Sequence, residues 1–177
     1  MRDNIFESFL KQQYEEGMAL AESSDLLELF PMDGPLTQEY IARFHCKGLV
    51  RAGDGAVVEA DGFAVRIWFP SDYLRRAEPF EVLTWFGTER IFHPNIRSPF
   101  ICVGRLAPGT SLVDILYQCF EIITYNKVTM REDDALNREA CAWARENQKQ
   151  FPIDRRPLKR RALDITVEQI EIEKVQS

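Results

Sequence analysis

No run of eighteen or more apolar residues occurs in the sequence, so nothing in it reads as a membrane-spanning helix. The opening residues form an acidic amphipathic stretch, not a basic segment followed by an apolar one, and no secretory leader is expected. Histidine is scarce, with two in 177 residues. The four cysteines contain no close C-x-x-C pair, which leaves no zinc site of familiar spacing. Four cysteines are also too few for a disulfide scaffold in a chain of this length, so free thiols in a reducing, cytoplasmic compartment are expected. A basic excess is missing too. The net charge of −6 excludes nucleic acid as a main partner, because neutralising phosphates needs a clustered basic surface. Neither a membrane partner nor a metal or other cofactor is implied, and there is no internal repeat.

What is present is enough apolar material for one compact α/β or α+β domain, since 45% of the residues are hydrophobic and 28% charged. The domain is expected over residues 1–152, followed by a C-terminal extension over 153–177. Charge is uneven, because residues 1–30 carry seven acidic side chains against Arg2 and Lys11.

Asp3 or Asn4 can cap a first helix, in which Phe6, Phe9, Leu10, Tyr14, Met18 and Ala21 recur at helical spacing to about Ser24. One stripe of it should lie on a sheet. Pro31 to Pro35 is a turn cluster, and from Tyr40 the pattern alternates through Ala42, Phe44 and Cys46, which predicts a first strand. Gly53-Asp54-Gly55 suits a hairpin turn before a second alternating stretch, Val57 to Phe69, and Phe80 to Phe86 reads as a third strand. Residues 87–110 look irregular. Ser111 with Asp114 resembles a capping pair ahead of the stripe Leu112, Ile115, Leu116, Cys119, Phe120 and Ile123. Asp133 or Asp134 can cap a last helix, whose stripe is Leu136, Ala140, Trp143, Ala144 and Asn147 and which ends near Pro152.

His93-Pro94-Asn95-Ile96, with Cys102 nine residues after the histidine, resembles the active-site segment of ubiquitin-conjugating (E2) enzymes. The surroundings resemble that family in order. Phe63 to Tyr73 is similar to its strand and Phe-Pro-x-x-Tyr turn, Ala107-Pro108 to the Ser-Pro of a partner-binding loop, and Ser111 to Ile123 to its second helix. Asp133 to Asn137, with Glu139-Ala140 and Arg145 to Asn147, is similar to its third. The resemblance covers roughly residues 38–152. It implies a UBC-like fold, in which an N-terminal helix packs on an antiparallel meander sheet, followed by an active-site loop and two C-terminal helices. It also implies a cysteine acyltransferase, whose partners would be a ubiquitin-like protein, an activating enzyme and a protein acceptor.

Such an enzyme takes the C-terminal acyl group of its cargo as a thioester and passes it to an amine, and a thiolate suits both halves of that exchange. The resemblance assigns this to Cys102. Cys46 and Cys119 fall on apolar faces and read as structural, and Cys141 beside a helical stripe is read the same way. Asn95 corresponds to the amide donor for the oxyanion; as a turn residue it can equally bond its own backbone. His93 and Pro94 are assigned to structure. Asp134, which Asp133 neighbours closely, corresponds to the acidic group that orients and helps deprotonate the incoming lysine, and it can equally be a plain helix cap.

The sequence also departs from the family. The intervals on both sides of Cys102 are short, and Leu106 stands where a tryptophan would fall. Leu74 to Pro79 replaces the proline-rich turn that meets ligases, leaving docking of a conventional RING-type ligase doubtful. The acidic first helix implies a different or charge-swapped activating partner. Divergence of this kind resembles the conjugating proteins of bacterial ubiquitin-like operons linked to antiviral defence. Two other readings stay open: a non-catalytic binding module for a ubiquitin-like protein, and a thiol hydrolase using Cys102, His93 and Asp134. In the extension, five basic residues between Arg155 and Arg161 could meet an acidic partner such as the first helix or simply be solvated. Ile165, Val167, Ile170 and Ile172 allow a further strand or helix.

Overall fold

A computed structural model describes residues 4–160. It is a mixed α+β structure with an N-terminal helix, an antiparallel sheet and C-terminal helices. Helix α1, Asn4–Glu22, buries Phe6, Leu10, Gln13, Gly17 and Leu20 on one face. Two of these are not apolar, and both serve close packing. A Cβ on Gly17 would come within 2.7 Å of Leu112 Cδ2 and 3.0 Å of Leu29 Cδ2, so only hydrogen lets the helix approach this near. Gln13 Oε1 accepts the backbone N–H of Leu112 at 2.7 Å, satisfying a donor that a helix start leaves free.

Strand β1, Leu27–Pro31, precedes the expected first strand. It is short and ends in a proline, which an edge strand tolerates. A 3-10 turn over Gly34–Leu36 leads to β2, Glu39–Phe44. The hairpin expected around Gly53 to Gly55 forms between β3, Gly48–Arg51, and β4, Val57–Ala60. The alternating stretch after it is broken, because Gly62 sits at φ +81° and β5 restarts at Phe63–Trp68. In place of a third strand over Phe80–Phe86 there is a short helix α2, Pro79–Val82, which proline starts readily, and then β6, Leu83–Trp85. The main sheet runs β1-β2-β5-β6, with every neighbouring pair antiparallel. Its inner face, including Tyr40, Phe44, Val65, Ile67 and Leu83, is buried.

A two-stranded ribbon follows, β7 at Ile96–Arg97 against β8 at Phe100–Ile101. Helix α3, Leu112–Ile123, starts at Ser111, whose Oγ accepts from Asp114 N at 3.1 Å, as its spacing requires. The last helix corrects the expected boundary. Asp133 and Asp134 lie in a 3-10 turn, Glu132–Asp134, and α4, Arg138–Glu146, is capped by Asn137, whose Oδ1 accepts from Ala140 N at 3.0 Å.

Residues 153–160 return to the domain. Leu158 is buried in the main core. Asp154 accepts from Lys47 N at 3.3 Å and from Arg156, which holds its carboxyl below the usual range. Arg160 donates to the carbonyls of Glu22 and Ser23 at the end of α1. Part of the basic run thus meets the first helix, while Ile165 to Ile172 lie outside the described residues.

Candidate active site

The segment from Ile91 to Val103 is pinned from below. Ile91, Phe92, His93, Pro94, Asn95 and Ile96 are all buried, and the turn closes with Ile96 N donating to His93 O at 3.1 Å. His93 Nδ1 accepts the backbone N–H of Asn95 at 2.9 Å, so the ring proton resides on Nε2. Nε2 has no hydrogen-bond partner among the described residues. Tyr125 crosses the ring edge-on, with centroids 4.3 Å apart. Burial pushes the imidazole down to about 3, while the Ile122 carbonyl acts the other way without closing a hydrogen bond. His93 is therefore a neutral structural group at ordinary pH, and no hydrogen bond joins it to Cys102.

Asn95 is the clasp of the loop. Its Nδ2 donates to the Cys102 carbonyl at 3.2 Å and to Thr129 Oγ1 at 2.8 Å. Its Oδ1 accepts from Thr129 N at 2.9 Å, and its own carbonyl accepts from Cys102 N at 2.8 Å. One carboxamide thus ties the cysteine backbone to the irregular segment after α3. Both amide hydrogens are spent in this state, so donating to an oxyanion requires one of them to be released.

Cys102 is half-buried, and it is the one cysteine of the four that is not fully buried. Its aim follows from alternation along the ribbon, since Ile101 and Val103 point into the core while Phe100 and Cys102 face out. Burial pushes the Cys46 and Cys119 thiols up to about 12. Cys141 is raised as well, chiefly by burial, and its Sγ donates to the Thr129 carbonyl at 3.3 Å, which braces the residue that holds Asn95.

Lys127 Nζ donates to the Val103 carbonyl at 2.7 Å, next to Gly104, whose φ of +87° turns the chain. Ala107 and Pro108 are exposed in a turn closed by Thr110 N and Oγ1 on the Ala107 carbonyl. Tyr73 fixes that turn by donating to the Thr110 carbonyl at 2.8 Å. Asp134 is exposed and paired with Arg131 at 3.6 Å; it forms no hydrogen bond to Cys102 or Asn95. Its segment is nevertheless tied to the loop at both ends, by Thr129 on Asn95 and by Asn137 N on the Pro94 carbonyl at 3.1 Å. An open cavity of about 600 Å³ lies between Arg97 and residues Ala135 to Arg138.

Lys127 and Thr129 carried no sequence signal, because they act through single hydrogen bonds from a stretch without a periodic pattern. Among the described residues, no group of three or more His, Cys, Asp or Glu could hold a metal ion, and no helix is long and apolar enough to cross a membrane. No protein-family model matches the chain, and no curated protein matches it either.

Proposed function

We propose that the chain is a UBC-like conjugating enzyme that carries a ubiquitin-like protein as a Cys102 thioester. The observation that carries this reading is the setting of Cys102, an outward-facing thiol whose main chain is clasped on both sides by the Asn95 of a buried His-Pro-Asn turn. In the first step the Cys102 thiolate attacks the thioester on an activating enzyme and expels that enzyme's thiolate. In the second, an acceptor amine attacks the acyl carbon and Cys102 leaves as thiolate.

Within this reading Asn95 keeps the thiol presented and, when one amide hydrogen is released, supports the oxyanion; a lost donor of that kind typically costs about 2.7–4 kcal/mol. Asp134, on a loop anchored to the same turn, is the group for the incoming amine once it parts from Arg131. Ala107 and Pro108 form an exposed partner-binding turn. The acidic α1, with Glu15 and Glu16 exposed, supports a dedicated activating partner of the kind encoded in bacterial ubiquitin-like operons linked to antiviral defence.

Full commitment of the Asn95 amide favours one alternative, a binding module that holds the ubiquitin-like protein without a thioester. Incubation with the cognate ubiquitin-like protein, activating enzyme and ATP separates the two on a gel run with and without reductant. A reductant-labile adduct, lost in Cys102→Ala, is expected. If the activating enzyme becomes charged and no adduct passes on, the conjugating reading fails and the binding module stands.

A further inference from the structure

The cavity between Arg97 and residues Ala135 to Arg138 has an unusual charge for a protein of net charge −6. Arg97 and Arg138 both line it, both are exposed, and neither has a carboxylate partner among the described residues. Of the acidic groups on the same segment, Glu139 is engaged with Arg51 at 2.5 Å, Asp134 with Arg131 and Glu132 with Arg145, while exposed Asp133 lies outside the lining of the cavity. Two guanidinium groups thus share one opening whose lining residues include no carboxylate.

Ribbon geometry places that opening next to the chemistry. Arg97 stands directly opposite Phe100, and Cys102 lies two residues farther along the same strand direction. Directly opposed residues, and residues two apart, share one face of an antiparallel pair, and such diagonal neighbours lie about 7–8 Å apart. Ile96 and Ile101 fill the other face and are fully buried. Arg97 therefore shares the outward face with the thiol, and Arg138 reaches the same cavity from the start of α4.

We propose that this cavity selects the acceptor: it binds a carboxylate side chain that lies close in sequence to the amine attacking Cys102. Arginine presents a planar fork that matches a carboxylate, and two unpaired forks exclude a basic segment as strongly as they attract an acidic one. The inference rests on the conjugating reading and adds a substrate class to it.

The test needs no activating enzyme. The Cys102 thiolate attacks the carbonyl of a glycylglycine mercaptoethanesulfonate thioester and expels the small thiolate; the other three cysteines are buried. The loaded protein then meets lysine peptides flanked by glutamate, phosphoserine, glutamine or arginine. In each discharge a nitrogen–carbon bond forms, the carbon–sulfur bond breaks, Cys102 leaves as thiolate and the ammonium proton passes to buffer. Loss of the acyl group is followed by intact mass.

At low salt the glutamate peptide is expected to discharge about five-fold faster than the glutamine peptide, a ratio that shrinks as salt rises. The double variant Arg97→Gln with Arg138→Gln should bring the ratio to about one, and the double change to glutamate should turn the preference toward the arginine peptide. Equal discharge onto glutamate and glutamine peptides by the unaltered protein overturns the proposal while leaving the conjugating chemistry intact. A response to phosphoserine alone overturns the carboxylate assignment. Failure of Cys102 to load at all removes the conjugating reading, and the proposal with it.

Discussion

His93 carries a measurable signature of its structural role. Its imidazole is fully buried, accepts from Asn95 N and is pushed down to about 3, against about 6.5 in an unfolded chain. Between those values the unfolded state binds a proton that the folded state refuses. The contribution to stability is therefore complete above about pH 6.5 and is lost progressively as pH falls toward 3. From pH 7 to pH 5 this amounts to about 2 kcal/mol. Denaturant melts across that range should show the decline, and His93→Gln, which can still accept from Asn95 N, should flatten it; an unchanged slope in the variant would assign the pH dependence elsewhere. The same residue shows what was legible beforehand. A histidine ahead of proline reads as structural from sequence, and so do Cys46 and Cys119 on apolar stripes. The double commitment of the Asn95 amide was not legible, since its partner Thr129 lies 34 residues away with no pattern to mark it.

At the scale of elements, the reading from sequence followed periodicity and failed where a local exception outweighed it. Helix α3 was legible because its stripe and its Ser111 cap agree. Strand β1 was hidden by its brevity and by Pro31, and the long alternating run concealed the break that Gly62 imposes. The start of α4 slipped from Asp133 and Asp134 to Asn137, since any of these side chains can cap and only the fold chooses among them. Contact between elements was the least visible. Gln13 is outside the apolar stripe that marks α1 in the sequence, yet its side chain caps α3 from outside. Gln13→Ala leaves Leu112 N buried without an acceptor, and a loss of about 1–3 kcal/mol is expected in equilibrium unfolding. Gln13→Met, which keeps the length of the side chain but cannot accept, should lose a similar amount; full stability in that variant would show that the hydrogen bond is not the cause.

For the whole molecule, the described chain ends as a strap. Leu158 enters the main core, Asp154 and Arg156 close over Lys47 and His45, and Arg160 meets the end of α1. The strap reads as an extension because its composition is basic and its single buried apolar anchor sets up no period. Leu158→Ala should cost about 2–5 kcal/mol by removing a fully buried side chain. A thermal melt of this variant beside one at exposed Ile153 would check it, and similar midpoints would show that the anchor contributes little.

The ribbon that presents Cys102 makes its accessibility a question of odd and even numbers. Neighbours one position either way, Ile101 and Val103, are sealed in the interior, so the thiol reaches solvent only because the count from the hairpin is right. A single residue inserted between Ile101 and Cys102 would aim the sulfur at the core, and a second would turn it back. The length of this segment is thus constrained to even steps: residues can be lost or gained with the thiol still exposed only where the side on which the sulfur emerges is preserved.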